Sequence, residues 1–385
     1  MKKIGISSVH TGFNYGSSLQ SYATKMILDE LGYKGVNISM KGSLIKGRDV
    51  RVKKILILSF RLLNQIKTIS KRIDIYIKNI RKPYSEETKK MFLDFRTHYI
   101  QPYYCSWANL RKLAKREDFK AFLCGSDQIW SGEALYVDPQ YYLRYAPKSK
   151  RISFAPSFGN DKVANFNKKV IAKYINGIPS ISVREDSGVD IVKELTGRDA
   201  VRLIDPTLVL DKDKWSKYFE LDKIDFSNEN YILAYFLSEP SNHAKDYIIR
   251  LSKKTNSKVI ALPYLRDDSD WFDDVPNAGP IEFVNYVKNA KYVCTDSFHG
   301  TAFSIIYQVP FFTFDRQYGN AVSQSTRVTS FLKLVSLNSR FNPSFEAIDA
   351  PIDFTKSQSV LESEREKSRS YLLEAINSLG GKDNE

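Results

Sequence analysis

A histidine in the chain stands where it could move a proton: His299, in the segment TDSFHGT over residues 295–301. The segment follows a predicted buried strand and opens a predicted helix, which would place the side chain at the edge of a parallel sheet. Histidine changes its charge near neutral pH and can therefore act as a general acid or base. Ser297 and Gly300 flank it and are candidates to contact the same ligand.

A second polar cluster, GSDQIW over residues 125–130, follows another predicted strand. It brings together a carboxylate (Asp127), an amide (Gln128) and an aromatic ring (Trp130). Sugar hydroxyls form hydrogen bonds with carboxylates and amides, and the apolar faces of sugars stack on rings. The cluster predicts a sugar site in which Asp127 orients or deprotonates the sugar. The alternative is a buried turn in which Asp127 caps the following segment.

A third cluster, Asn14, Tyr15 and Gly16, lies between the first predicted strand and the first predicted helix. Backbone N–H groups and the dipole at the start of a helix can receive an anion. The loop matches neither G-x-G-x-x-G nor a Walker loop, so no motif supports a dinucleotide or Mg–ATP site. His10, just before this loop, is a further candidate, although packing is its simpler interpretation.

Arg184 follows a predicted strand and could hold an anion. A local salt bridge with the adjacent Glu185 is the simpler interpretation of that pair. The turn formed by residues 205–207, of sequence DPT, is predicted to be mainly structural because proline restricts the backbone.

Strand and helix patterns alternate along the chain, which predicts parallel sheets with helices on both faces. The first strand–helix–strand segment consists of a strand over Lys3–Val9, a helix over Ser17–Leu31 capped by Ser17, and a strand over Val36–Met40. A second series of strands begins near residue 201 and predicts a second sheet. At 385 residues the chain exceeds the roughly 250–300 residues at which a single core stops growing, so two domains are expected.

Six segments, read in order from residue 3 to about residue 335, resemble the polysaccharide pyruvyl transferase family. They are FNYGSSLQSYA, FLCGSDQIW, ISFAPSFG, ISVRED, DPTLVL and TDSFHGTAFSIIYQVPFFTF. The resemblance implies an α/β fold of two Rossmann-like domains facing across a cleft, like that of GT-B glycosyltransferases. It also implies phosphoenolpyruvate as the donor and, as the product, a pyruvate ketal that bridges two hydroxyls of one sugar.

The chain is expected to divide into three ranges. We predict an N-terminal acceptor domain over residues 1–185, with a basic helical insert at about 44–85. A C-terminal donor domain is expected over residues 186–350, followed by a C-terminal helix and tail over residues 351–385.

The family's motif histidine falls on His299 and its strand-end arginine on Arg184. Some branches have an arginine two residues before that histidine, where this chain has Ser297. Arg327 is a candidate replacement, because the phosphate and carboxylate of the donor need cations. No metal and no cofactor besides the donor substrate is expected. The predicted catalytic residues are His299 and Asp127, the donor-binding residues Arg184, Arg327, Ser297 and Gly300, and the acceptor-binding residues Asn14, Tyr15, Gly16, Asp127, Gln128 and Trp130.

Two other functions stay open at this point. A GT-B-like glycosyltransferase that uses a nucleotide sugar would need a similar fold. A non-catalytic sugar-binding relative would also keep the fold, although it would not need the proton-transfer group of His299 or the cation of Arg184.

The net charge of +14 is concentrated in residues 46–82, where twelve Lys or Arg and two Asp give +10. Apolar residues in this segment recur at spacings of four and three, which predicts an amphipathic helix; they are Leu62, Ile66, Ile69, Ile73, Tyr76 and Ile80. Such a helix could lie on an anionic membrane surface, near a lipid-linked acceptor, or pack on the first domain. A nucleic-acid partner is not expected, because no recognition fold accompanies the charge.

The sequence MKKIGISSV leads directly into a predicted strand and lacks the apolar stretch of a signal peptide. The three cysteines are widely spaced and match no metal-binding pattern. We therefore expect a cytoplasmic protein that could be peripheral at the inner face of a membrane.

Overall fold

The computed structural model describes residues 1–40, 54–59, 84–224, 230–262, 271–316 and 326–379. The chain divides into two compact units. The first unit comprises Met1–Ile73, Arg96–Val209 and Glu364–Glu385, and the second comprises Asp74–Phe95 and Leu210–Ser363. The amphipathic helix predicted between residues 62 and 80 lies outside the described residues.

The first unit contains a five-stranded parallel sheet in the order β3-β2-β1-β4-β5. Its strands are β1 (Lys3–Ser7), β2 (Lys34–Met40), β3 (Tyr103–Cys105), β4 (Phe119–Cys124) and β5 (Arg151–Ser153). A short parallel pair, β6 (Ser182–Val183) with β7 (Val201–Arg202), completes its strands. Because the strands are parallel, their carboxyl ends reach one edge of the sheet, where ligands bind in such folds.

The second unit contains a four-stranded parallel sheet in the order β11-β10-β8-β9. Its strands are β8 (Tyr231–Tyr235), β9 (Lys258–Ala261), β10 (Tyr292–Thr295) and β11 (Phe311–Thr313). All five residues of β8 are buried, so both faces of this sheet are covered. The predicted α/β class with two parallel sheets and a C-terminal helix is confirmed.

The helices follow the strands in alternation. In chain order they are α1 (Tyr15–Glu30), α2 (Glu86–Phe95), α3 (Trp107–Ala114), α4 (Asn165–Ile175), α5 (Asp186–Thr196), α6 (Pro206–Val209), α7 (Lys212–Phe219), α8 (Asn242–Thr255), α9 (Pro280–Asn289), α10 (Phe298–Tyr307), α11 (Thr326–Leu334) and α12 (Thr355–Asn377). A π-helix over Arg96–Ile100 continues directly from α2. No helix in the described ranges is long and apolar enough to cross a membrane.

The N-cap of α1 is Asn14, and the predicted cap at Ser17 is wrong by three residues. The side chain of Asn14 accepts a hydrogen bond from the Ser17 N–H at 3.0 Å. Because an amide oxygen at the N-cap satisfies a free N–H of the first turn, the helix begins at Tyr15.

The boundary between the units lies at Val209, later than the predicted boundary at residue 185. The reason is the pairing of β6 with β7, which keeps residues 186–209 in the first unit. The C-terminal helix is also not a separate tail. Its Arg365 Nε donates to the Leu208 carbonyl at 3.0 Å, and its Tyr371 hydroxyl donates to the Ser153 carbonyl at 3.0 Å.

Candidate functional site

In the first unit, Gln20 of α1 joins the loops that follow β1 and β4. Its Nε2 donates to Ser8 Oγ at 3.0 Å and to the Val9 carbonyl at 2.8 Å. Its Oε1 accepts the N–H of Ser126 at 3.2 Å. Gln20 is completely buried, so these bonds are shielded from water. They fix two strand-end loops at the same edge of the sheet.

Gly125 allows the chain to leave β4 in the direction that the site requires. Its φ of +156° is rarely adopted by residues with a side chain, and a Cβ there would lie 1.8 Å from the Phe154 carbonyl oxygen. Glycine is therefore needed, because a methyl group would collide with rigid backbone.

Asp127 lies in this loop and is half-buried, with a φ of +69°. Its Oδ2 accepts a hydrogen bond from Ser17 Oγ at 2.6 Å, and its Oδ1 accepts the N–H of Gln128 at 2.8 Å. Each carboxylate oxygen has a second acceptor position. Asp127 is thus held in place while it keeps acceptor capacity for a ligand hydroxyl.

Trp130 does not present an accessible ring, so the predicted stacking surface is wrong. The ring is 0% exposed and lies parallel to that of Tyr142, with centroids 5.1 Å apart. Its Nε1 donates to the Tyr141 carbonyl at 2.9 Å. The chain turns the ring into the core of the first unit because burying such a large apolar surface stabilises the fold.

The remaining predicted acceptor residues differ in how far they are exposed to solvent. Tyr15 and Gly16 are buried in the first turn of α1. Asn14, Asp127 and Gln128 are half-buried and can be reached from solvent.

Arg184 lies in a buried cluster of charges and is only 6% exposed. Its Nε donates to Glu185 Oε1 at 3.0 Å, and its Nη1 donates to Asp205 Oδ2 at 2.7 Å. Burial alone would lower the pKa of this guanidinium, but Glu185, Asp205 and Asp127 offset that effect and raise it. The local salt bridge with Glu185 is therefore present, and donor binding by Arg184 stays a prediction.

Asp205 is the acceptor at the centre of this cluster. Its Oδ2 also accepts from Ser126 Oγ at 2.8 Å, and its Oδ1 accepts from the N–H and the hydroxyl of Thr207 at 3.0 and 2.8 Å. The predicted structural role of residues 205–207 agrees with these bonds.

In the second unit, His299 lies in the first turn of α10 and is 7% exposed. Ser297 is the N-cap of this helix, and its side chain accepts the N–H of Gly300 at 3.3 Å. A Cβ on Gly300 would lie 2.5 Å from Thr295 Oγ1. Ser297 and Gly300 therefore shape the turn that carries His299, and both are buried.

A small pocket, partly open to solvent, lies beside the start of α10. Its lining combines one carboxylate, two guanidinium groups and apolar side chains: Asp296, Phe298, Phe314, Arg316, Arg327, Val328 and Phe341. The predicted donor residue Arg327 is in this lining. Phe298, which precedes His299 in the sequence, is also in this lining.

Arg316 is a pocket residue that the sequence reasoning missed. Its Nε donates to Asp296 Oδ2 at 3.2 Å and its Nη2 donates to the Asp296 carbonyl at 3.1 Å. Asp296 is fixed in turn by the N–H groups of Leu237 and Ser238. Since Arg316 follows β11, the strand-end criterion that selected Arg184 would also have found it.

His10 is buried at the end of the first strand, and its Nδ1 lies 3.2 Å from the Ser8 carbonyl oxygen. A carbonyl oxygen only accepts, so Nδ1 donates in this contact. Burial first, and then the positive charge of Arg96, lower the pKa of His10 to about 4. The imidazole is therefore neutral at pH 7.

The model of the family described as polysaccharide pyruvyl transferase matches residues 14–318, well over half of the chain. No curated protein matches the chain significantly. Similar solved structures include UDP-N-acetylglucosamine 2-epimerase from Rickettsia bellii, 10% identical, with a TM-score of 0.47 and coverage of 100% of this chain and 99% of that chain. Another is the glycosyltransferase SnogD from Streptomyces nogalater, 9% identical, with a TM-score of 0.43 and coverage of 97% and 99%.

We predict that Arg184→Ala lowers the free energy of unfolding by about 3–5 kcal/mol, because it leaves buried carboxylates without their cation. Urea unfolding of the two proteins measures the difference. The control is Arg116→Ala, which breaks an exposed pair with Asp118 and should cost less than about 1 kcal/mol. Equal small losses in both variants would show that the buried cluster does not stabilise the unit.

We also predict a pH dependence from His10. Between its ordinary pKa of 6.5 and its folded value of about 4, the unfolded chain takes up a proton that the folded chain does not. The contribution of His10 to the free energy of unfolding is therefore fully present above pH 6.5. It falls by about 3 kcal/mol as the pH approaches 4. Between pH 7 and pH 4, urea unfolding should show a loss in the free energy of unfolding that is about 3 kcal/mol smaller in His10→Gln than in the wild type. His98→Gln, at an exposed position, should match the wild type; a His10→Gln variant that also matches it contradicts the prediction.

Proposed function

Because this chain belongs to the polysaccharide pyruvyl transferase family, we propose that it transfers pyruvate from phosphoenolpyruvate, as a ketal, onto a sugar. The sugar would belong to a surface polysaccharide or to its lipid-linked precursor. The observation that supports a small anionic donor is the pocket of the second unit, where two guanidinium groups line one cavity.

The donor carries a phosphate and a carboxylate, and both need cations in a partly buried site. Arg316 and Arg327 supply two such cations, and Arg316 is oriented by its bonds to Asp296. Phe298, Phe314 and Phe341 supply apolar walls, and charge interactions are stronger beside apolar groups than in bulk water.

The proposed reaction balances with two sugar hydroxyls and one donor. A proton adds to the methylene carbon of phosphoenolpyruvate, and the first hydroxyl attacks the neighbouring carbon as it becomes positive. Phosphate then leaves with its bonding electron pair, and the second hydroxyl closes the ketal. The two hydroxyl protons end on the new methyl group and on hydrogen phosphate, so no oxidant or reductant is needed.

We assign the proton transfer to His299, because histidine can give and take a proton near neutral pH. Its place in the first turn of α10, next to pocket residue Phe298, supports this assignment. Asp127 is assigned to the acceptor hydroxyl, since its carboxylate is oriented by Ser17 and remains half-buried.

We predict that His299→Ala lowers the rate of ketal formation at least about 100-fold, the scale of a lost general acid. Arg316→Gln and Arg327→Gln should mainly raise the KM for phosphoenolpyruvate, because each removes a cation from the pocket. His98→Gln is the matched control and should retain the wild-type rate. The measurement is product mass together with phosphate release, after incubation with phosphoenolpyruvate and a panel of lipid-linked sugars.

A ketal adds the mass of pyruvic acid less one water, with one phosphate released for each ketal formed. Addition of a whole sugar residue from a nucleotide sugar would identify a glycosyltransferase instead. Sugar binding without either product would identify a non-catalytic relative. A folded His299→Ala variant with the wild-type rate would remove His299 from the mechanism.

We further propose a cytoplasmic location in which residues 46–82 hold the protein at an anionic membrane surface. Each Lys or Arg near such a surface contributes about 1 kcal/mol, so replacing four of them with Gln should weaken binding to anionic vesicles roughly hundreds-fold or more. The four are Lys67, Lys71, Arg72 and Lys78. Sedimentation with vesicles at low and high salt is the measurement.

The control variant replaces four exposed lysines elsewhere with Gln and has the same net charge; they are Lys112, Lys115, Lys212 and Lys217. Its binding should stay close to that of the wild type. Absence of wild-type binding at low salt, or equal losses in the two variants, would contradict the membrane contact.

A further inference from the structure

Two buried nitrogen atoms of the first unit, His10 Nε2 and Arg96 Nε, have no hydrogen-bond partner among the described residues. The His10 side chain is 2% exposed. Arg96 Nη2 donates to the Gly12 carbonyl at 3.0 Å. Because Gly12 precedes the N-cap Asn14 by two residues, this bond holds the guanidinium at the start of α1. We call this place the His10–Arg96 site.

The two atoms have opposite hydrogen-bonding roles. His10 Nδ1 carries the proton that it donates to Ser8, so Nε2 of the neutral ring is an acceptor. Arg96 Nε is a donor in every protonation state that proteins reach. A buried donor and a buried acceptor that are both left unpaired cost free energy, which a bound group of matching chemistry would recover.

The electrostatics of the site favour an anion. In the described residues Arg96 forms its hydrogen bond with Gly12 and no ion pair with a carboxylate. The first turn of α1 contains no acidic residue, and the start of a helix carries a partial positive charge. The charge of Arg96 also disfavours protonation of His10 and so lowers its pKa. Asp127 contacts the first turn through Ser17 Oγ, but the charged side chain that acts on His10 is Arg96.

We propose that the His10–Arg96 site binds a phosphoryl group. A phosphate monoanion has both a P–OH that can donate to Nε2 and a P–O⁻ that can accept from Arg96. A carboxylate has only acceptors and would leave the neutral imidazole without its donor. The second ionisation of a phosphate ester occurs near pH 6, so part of the group still carries a P–OH at pH 6.5. The proposal follows from His10, Arg96 and α1 and does not rest on pyruvyl transfer.

The test is a titration of the whole protein, labelled with ¹⁵N in its four histidines, with sodium phosphate at pH 6.5. Sodium chloride at matched ionic strength is the reference, and His10→Gln assigns the His10 signals. We expect these signals to shift and to saturate with phosphate but not with chloride. Arg96→Gln should raise the apparent Kd at least about tenfold, because a hydrogen bond to a charged group is lost.

The matched control is Arg327→Gln, which removes a cation from the pocket of the second unit and should leave the response of His10 unchanged. A second titration with galactose 1-phosphate separates the two sources of the group. Tighter binding than inorganic phosphate identifies a phosphate ester, and equal or weaker binding identifies free phosphate. The proposal is overturned if wild-type His10 signals do not respond to phosphate, if chloride moves them equally, or if a folded Arg96→Gln variant binds phosphate like the wild type.

Discussion

The carboxylate of Asp205 is the constraint on which the first unit's site depends. A completely buried carboxylate is costly unless cations and hydrogen-bond donors surround it. Asp205 meets this need with Arg184 from the end of β6, Ser126 from the loop after β4 and Thr207 from α6. Any shift of one of these segments would leave the charge unpaired. The loop that carries Asp127 is therefore fixed by the buried hydrogen bond between Ser126 and Asp205.

The two units offer opposite charge environments. Around Arg184, three carboxylates influence one guanidinium. In the lining of the second unit's pocket, two guanidiniums accompany one carboxylate. The carboxylates Glu185 and Asp205 of the first arrangement are buried and bonded within the unit, whereas the second arrangement lines a pocket and suits an anion. The charges of this pocket are the physical basis for proposing that the second unit holds the donor.

The parallel sheets could be predicted from the sequence because buried strands are short apolar runs that end in turn residues. The strand predicted over Val36–Met40 is observed over Lys34–Met40. The direction of a side chain after a strand could not be predicted, since tertiary packing decides it. Trp130 is therefore in the core although its neighbours Asp127 and Gln128 are not. The position of Arg316 after β11 marks it as a candidate, but its bond to Asp296, twenty residues away in sequence, could not be predicted.

The first unit is assembled from three stretches of chain, and its last stretch begins within α12, at Glu364. Arg365 and Tyr371 of that helix bond to Leu208 and Ser153, which precede them by more than 150 residues. During translation, the first unit therefore cannot complete its fold until the stretch that begins at Glu364 has been synthesised. The second unit needs only residues up to Ser363, so it has all of its segments first. This reverses the usual order, in which the N-terminal domain folds ahead of the one that follows.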